Sequence, residues 1–401
     1  MGTAKDTGTG ISTGTGTGTG IRTGTGTSTG VSTGTGTGAG TSTDAGTSAG
    51  NGAGAGTITG AGASRADRER PRGPRPVALL FPGQGAQHTR MGTGLYDHDP
   101  VFTATMDEIF AELGREGARI RADWLSADPD VPIDDVLRAQ PLLFAVDYAL
   151  GRTVMSWGVR PAALLGHSVG EMAAATLAGV FTLSDAVRVM WERLVRLSRT
   201  PPGGMLAVAA TPAELAPHLD GEVVIGAVNG PRQVMLAGAA APLARAAAEL
   251  RERGITCRPV RATIGFHSPS VAATAPQDEA AFAALPLRAP GIPVYSCYTG
   301  APLTEREARD PGFWARQPSA CVVFGAALDA LLSGGDLVLL EAGPSQSLTT
   351  LARRHRAVGA GSTALALLPP RRGEDAADRE SLARAAEALR AEGAAPDLAR
   401  A

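Results

Sequence analysis

Val77-Ala78-Leu79-Leu80-Phe81 is an unbroken apolar run halted by Pro82-Gly83. A strand with one face in water alternates apolar and polar side chains. A strand with no polar position is buried on both faces, as in parallel sheets covered by helices. The pattern returns at Pro161-Ala162-Ala163-Leu164-Leu165, ended by Gly166, and at Leu337-Val338-Leu339-Leu340, ended by Glu341-Ala342-Gly343-Pro344. Helical spacing separates these runs. It is found over Phe102 to Leu113, over the nearly all-apolar Gln140 to Trp157, over Val169 to Val180, and from a cap at Ser184-Asp185 to about Ser198. Buried strands alternating with helices predict an α/β fold built on a parallel sheet.

Pro201-Pro202-Gly203-Gly204 interrupts that rhythm. Beyond it the pattern predicts a strand at Met205–Ala209, a short helix at Thr211–Leu219 and strands at Val223–Val228 and Gln233–Leu236 about an Asn229-Gly230 turn. A helix at Ala241–Arg253 and a strand at Ile255–Ala262 follow. The order βαββαβ is ferredoxin-like. The α/β character then resumes, with a strand at Pro293–Ser296, helices at Cys321–Leu332 and Ser345–Arg356, and a last strand at Ala364–Leu368. We therefore divide the chain into a leader (1–75), a large subdomain (76–201 and 265–370), an inserted small subdomain (202–264) and a helical tail (371–401).

The leader differs from the rest in composition. Of 52 glycines, 21 precede Ser64, mixed with threonine and serine. Such a stretch cannot bury enough apolar surface to offset its ordering entropy and reads as a flexible coil. It lacks the third-position glycine of collagen, and no secretory signal or membrane-spanning run is visible. A net charge of −2 gives no support to nucleic-acid or membrane-surface binding. Three cysteines without a CxxC suggest neither a disulfide framework nor a zinc site, and fit a reducing cytoplasm.

Gly166-His167-Ser168-Val169-Gly170 carries the chemistry. It matches the G-x-S-x-G elbow and lies after a buried strand and before a helix, the setting that exposes a serine hydroxyl at a helix N-terminus. In a glycine-rich chain the pattern also arises by chance. A serine nucleophile needs a base. His167 would point away around the elbow, and His88, His98 and His218 fit solvated positions. His355 lies among arginines. His267, in Gly265-Phe266-His267-Ser268-Pro269 where the small subdomain rejoins the large one, faces the cleft between them and is the candidate base. The turn Phe81–Gln87 is either an ordinary Pro-Gly turn or half of an oxyanion hole, with the backbone N–H of Gln84 acting beside that of Val169.

Together, Phe81–Gln87, Gln140-Pro141, Gly166–Glu171, Ala227–Pro231, Gly265–Pro269 and Glu341–Pro344 resemble, in this order, malonyl-CoA:acyl-carrier-protein transacylases and the acyltransferase domains of polyketide synthases. The resemblance covers about Val77 to Pro370. It implies an α/β-hydrolase-like core with a ferredoxin-like insertion. It also implies Ser168 as acyl nucleophile, His267 as base, and Gln84 and Val169 as oxyanion donors. Gln140 would order the site, and Arg193 would pair with the free carboxylate of a malonyl-type acyl group. A surface arginine is the alternative for Arg193, since Arg188, Arg196 and Arg199 lie near it. The base would be oriented by a main-chain carbonyl near the Gly343-Pro344 loop. His167, Gly265 and Phe266 join the substrate-binding set.

The implied reaction is ping-pong transfer from acyl-CoA, malonyl-CoA or a substituted malonyl-CoA, to the phosphopantetheine thiol of an acyl carrier protein. No cofactor of the chain's own is involved. No ketosynthase or carrier segment is read in these 401 residues, so a discrete, trans-acting acyltransferase is the expectation and an excised domain the alternative. Phe266 fits a malonyl-type pocket. Gly265 in place of alanine, and Cys297-Tyr298 in place of the more common Asn-Val, leave room for an unusual extender or starter unit. A thioester hydrolase using the same Ser168–His267 pair is the competing activity, and a non-catalytic docking protein the remaining one.

Overall fold

The computed structural model describes residues 74–359 and 361–394. The leader lies outside them except for Pro74 and Arg75. Arg75 Nε donates to Glu392 Oε2 at 3.0 Å, tying the entry to the first strand to the end of the last helix.

The large subdomain is built on strands β1 (Val77–Phe81), β2 (Ala163–Gly166), β7 (Val294–Ser296), β8 (Ala301–Pro302), β9 (Val338–Glu341) and β10 (Thr363–Ala366). The small one holds β3 (Gly203–Val208), β4 (Val223–Gly230), β5 (Gln233–Ala239) and β6 (Cys257–Pro259). The larger sheet has the order β10-β9-β1-β2-β7-β8. Its first five strands run parallel, and β8 pairs antiparallel to β7 at the edge. In β1, Val77, Leu79 and Phe81 pack into one hydrophobic cluster and Ala78 and Leu80 into another on the opposite face. β2 and β9 divide their residues in the same way. The apolar runs contain no polar position because neither face of these strands meets water.

The helix Val136–Ser156 packs against the helix Val169–Leu177 beside this sheet. It carries Pro141 in its interior, which leaves the carbonyl of Leu137 without its usual partner; Arg138 Nη1 donates to that oxygen at 3.1 Å. The helix expected from Ser184-Asp185 spans Leu183–Leu197, and its cap is Thr182. Thr182 Oγ1 accepts from the Asp185 N–H, so Ser184 and Asp185 form the first turn rather than the cap. Helices at Gly114–Leu125, Ala275–Ala283 and Pro311–Arg316 were not anticipated.

The small sheet has the order β4-β5-β3-β6, all antiparallel, with helices Pro212–Leu215 and Ala240–Glu252. This is the βαββαβ arrangement read from the sequence, although its last strand is only Cys257–Pro259 and the β4–β5 turn is Pro231-Arg232. The helix expected from Cys321 begins at Phe324. Val322 is held extended beside β4, where Val228 N donates to its carbonyl at 2.7 Å and its own N–H donates to Gly226 O at 2.9 Å. This segment joins the two subdomains beside the cleft. The fold is α/β, hydrolase-like, with a ferredoxin-like insertion. No helix among the described residues is long and apolar enough to cross a membrane.

Candidate active site

β2 ends at Gly166 and the next helix begins at Val169, leaving His167 and Ser168 to make the turn. Ser168 sits at φ 54°, ψ −117°, a conformation that costs roughly 1–3 kcal/mol and recurs at active sites. Gly170 lets the helix press against the end of β1, since a Cβ there would lie 2.2 Å from Phe81 O. The elbow is thus a strand, a strained serine and a helix start.

Ser168 Oγ lies 2.8 Å from His267 Nε2. His267 Nδ1 lies 2.8 Å from the carbonyl oxygen of Ala320, and its backbone N–H donates to Pro318 O at 2.6 Å. A carbonyl can only accept, so Nδ1 carries the proton and the Nε2 lone pair faces the serine hydroxyl. Burial, and next the charge of nearby His167, push His267 down to about 4, so the ring is a neutral base at pH 7. The orienting carbonyl belongs to the 317–323 segment and not to the neighbourhood of Gly343-Pro344. That loop is packed behind the β1 turn, where a Cβ on Gly343 would lie 2.3 Å from Pro82 Cδ.

His167 points away from the serine. Its Nε2 lies 2.8 Å from Asn229 Oδ1 of β4, and its ring stands 5.6 Å from that of Phe324. Gln140 is buried and donates through Nε2 to Gln84 Oε1 at 2.9 Å, bracing the β1 turn against the long helix. The backbone N–H groups of Gln84 and Val169 make no hydrogen bond among the described residues, which leaves both available to an oxyanion. Ser168, His267, Gln84, Gln140, His167 and Phe266 all line one cleft of about 680 Å³.

Gly265 does not line it. A Cβ there would lie 2.6 Å from Gly238 O, so the missing methyl admits β5 and does not enlarge an acyl pocket. Cys297 is buried and does not line the cleft either, and its N–H donates to Glu171 Oε2 at 2.8 Å. Of the unusual Cys297-Tyr298 pair only Tyr298 faces the site, its ring 6.1 Å from that of His267.

Arg193 lines a smaller pocket contiguous in residues with the first, sharing Ser168, Gln140 and Phe266. It is buried, not at the surface. Nη2 donates to Trp314 O at 2.7 Å, Nε stands 3.3 Å from Asp278 Oδ2, and the guanidinium carbon lies 4.9 Å from the centroid of the Phe282 ring. Nη1 has no hydrogen bond among the described residues. Asp278 is fully buried and also pairs with Arg196 Nη2 at 2.7 Å. Arg196 also stands 3.9 Å from Glu192 Oε2 through Nη1, so Arg193 shares Asp278 with an arginine that has a second carboxylate partner.

Two positioning groups were missed by sequence reasoning. Glu171, on the elbow helix, accepts from Cys297 N and, through Oε1, from Gln317 Nε2 at 3.4 Å. Gln317 opens the segment whose carbonyls hold His267, so Glu171 links the nucleophile's helix to the base's support. Burial pushes its carboxyl up to about 7. Its place in the Gly166–Glu171 motif was a usable signal. Asp278 had none, being one acidic residue in a polar stretch.

Residues 78–393 match the acyl transferase domain model. This chain belongs to the acyl transferase domain family. It is 39% identical over 280 residues to a phenolphthiocerol/phthiocerol polyketide synthase protein of Mycobacterium tuberculosis, covering 70% of this chain and 19% of that protein. It is 35% identical over 301 residues to a spectinabilin polyketide synthase system protein of Streptomyces orinoci, covering 73% and 14%. The chain thus spans a fifth or less of the length of these relatives. Among solved structures it resembles the acyltransferase domain from the second module of the salinomycin polyketide synthase, with TM-score 0.71, 35% identity, and 78% and 72% of the two chains covered. It also resembles the acyl transferase domain of SpnD in complex with 2-(pent-4-yn-1-yl)malonyl, with TM-score 0.76, 34% identity, and 82% and 79% covered. Family membership makes the chain an acyltransferase.

Proposed function

We propose that the chain transfers a malonyl-type acyl group from acyl-CoA to the phosphopantetheine thiol of an acyl carrier protein, through an acyl-Ser168 intermediate. The observation that carries this reading is the 2.8 Å contact between Ser168 Oγ and the unprotonated nitrogen of a neutral His267. Nε2 takes the hydroxyl proton as Oγ attacks the thioester carbon. Negative charge develops on the carbonyl oxygen, within the N–H groups of Gln84 and Val169. The C–S bond breaks, and the imidazolium returns its proton to the departing CoA thiolate. The carrier thiol repeats the sequence in reverse, and Ser168 regains its proton.

Arg193 Nη1 is the group proposed to hold the free carboxylate, with Nε and Nη2 fixed by Asp278 and Trp314. The solved relative that holds a substituted malonyl group carries the same kind of free carboxylate. Phe266 and Tyr298 close the pocket around the acyl carbon that bears it.

The test is transfer of labelled malonyl from CoA to a holo carrier protein supplied as a separate chain, as for a discrete acyltransferase. Carrier-dependent labelling that Ser168→Ala abolishes is the expected result. Release of free malonate at one rate with or without carrier would make the enzyme a hydrolase.

A further inference from the structure

The charge around the cleft is one-sided. Arg258 in β6 and Arg261 just beyond it reach the cleft from the small subdomain, and Arg371 reaches it from the chain after β10. All three are exposed. Among the described residues, no Asp or Glu lines the cleft. None of the three guanidinium groups pairs with a carboxylate among the described residues, whereas Arg75, Arg90, Arg138 and Arg196 all do. One unpaired surface arginine is ordinary. Three on both sides of a single cleft focus a positive potential on whatever enters it. Met205, Met235, Val260 and Leu348 supply apolar wall to the same cleft. Apolar wall and cationic rim match a ligand with an uncharged arm and a phosphorylated end.

Resting on the acyl-thioester reading above, we propose that Arg258, Arg261 and Arg371 form a phosphate-binding rim. It holds the phosphorylated end of a pantetheine thioester while the acyl group lies at Ser168. Guanidinium suits this task because it binds phosphate oxygens through paired N–H donors and remains charged at any working pH. The phosphates come from the diphosphate and 3′-phosphate of CoA, or from the phosphodiester of a carrier's prosthetic arm.

The test compares wild type with the triple variant R258A/R261A/R371A. Donors are malonyl-CoA, malonyl-3′-dephospho-CoA and malonyl-pantetheine, read as acyl-Ser168 formation. Acceptors are phosphopantetheine and pantetheine, read as discharge of preformed malonyl-enzyme. The rim predicts that the kcat/KM ratio of phosphorylated to unphosphorylated partner falls about tenfold, the sum of three exposed charge contacts. Replacing all three with lysine should retain most of the ratio. A fall confined to the donors assigns the rim to CoA, and one confined to the acceptors assigns it to the carrier's phosphodiester. Unchanged ratios in an active triple variant, or equal losses with every partner, overturn the rim. A wild-type enzyme that forms no acyl-serine from any donor overturns the proposed function itself.

Discussion

Arg193→Ala is the substitution that most sharply separates a carboxylate clamp from a structural arginine. The guanidinium is buried, with Nε beside Asp278 and Nη2 on Trp314 O. A charge-assisted hydrogen bond to an acyl carboxylate contributes about 1.5–3 kcal/mol. At about 1.4 kcal/mol per factor of ten, that is roughly a ten- to hundredfold fall in kcat/KM for malonyl-CoA. Asp278 shares the charge of Arg193, which favours the lower end of this range. Acetyl-CoA has no carboxylate to lose, so its kcat/KM should stay within about threefold of wild type or rise. The fold should survive, because Asp278 keeps Arg196 at 2.7 Å as its partner. Arg193→Lys should recover part of the malonyl activity, since it restores charge without the planar guanidinium that Asp278 and Trp314 hold in place. The assay is steady-state transfer with both donors, beside thermal melts of each variant. Equal losses for malonyl and acetyl in a well-folded variant would refute the clamp and leave Arg193 a packing residue.

Two predictions concern pH. His267 is held neutral down to about 4, so kcat/KM for acylation should stay flat through the ordinary imidazole range and fall only as pH approaches that value; an inflection near 6.5 would contradict the buried base. The same lowered value makes its contribution to stability full above 6.5 and lost as pH falls toward and through 4. Asp147 behaves in the opposite sense. It is fully buried, neither carboxyl oxygen has a hydrogen-bond partner among the described residues, and burial together with the charge of Glu341 raises it well above its usual range. Its contribution to stability is full below 3.8 and lost as pH rises through the folded value, so Asp147→Asn should raise the melting temperature more at pH 8 than at pH 5. An equal shift at both pH values would show that Asp147 is not charged in the unfolded reference alone.

The parts of the fold legible in the sequence are those that depend on side-chain type. β1, β2 and β9 announced themselves because burial on two faces excludes every polar residue. The elbow did so because Gly170 cannot carry a Cβ against Phe81 O. His267 was recoverable from its position at the subdomain junction. What stayed hidden depends on the backbone or on long-range pairing. The carbonyl of Ala320 orients the base, and every residue has a carbonyl. Asp278 reads as a surface charge until Arg193 and Arg196 close around it. Cys321–Val323 looks helical by composition, yet Val322 pairs with β4. Gly265 suggested a wider acyl pocket, whereas its space is taken by Gly238.

The central claim is a covalent acyl-serine that a carrier thiol discharges. Intact-protein and peptide mass spectrometry after brief incubation with malonyl-CoA measures it directly. One malonyl group is expected on the peptide containing Ser168, absent in Ser168→Ala, and removed by holo carrier protein much faster than by water. No adduct, an adduct on another residue, or loss at the same rate with and without carrier would contradict it.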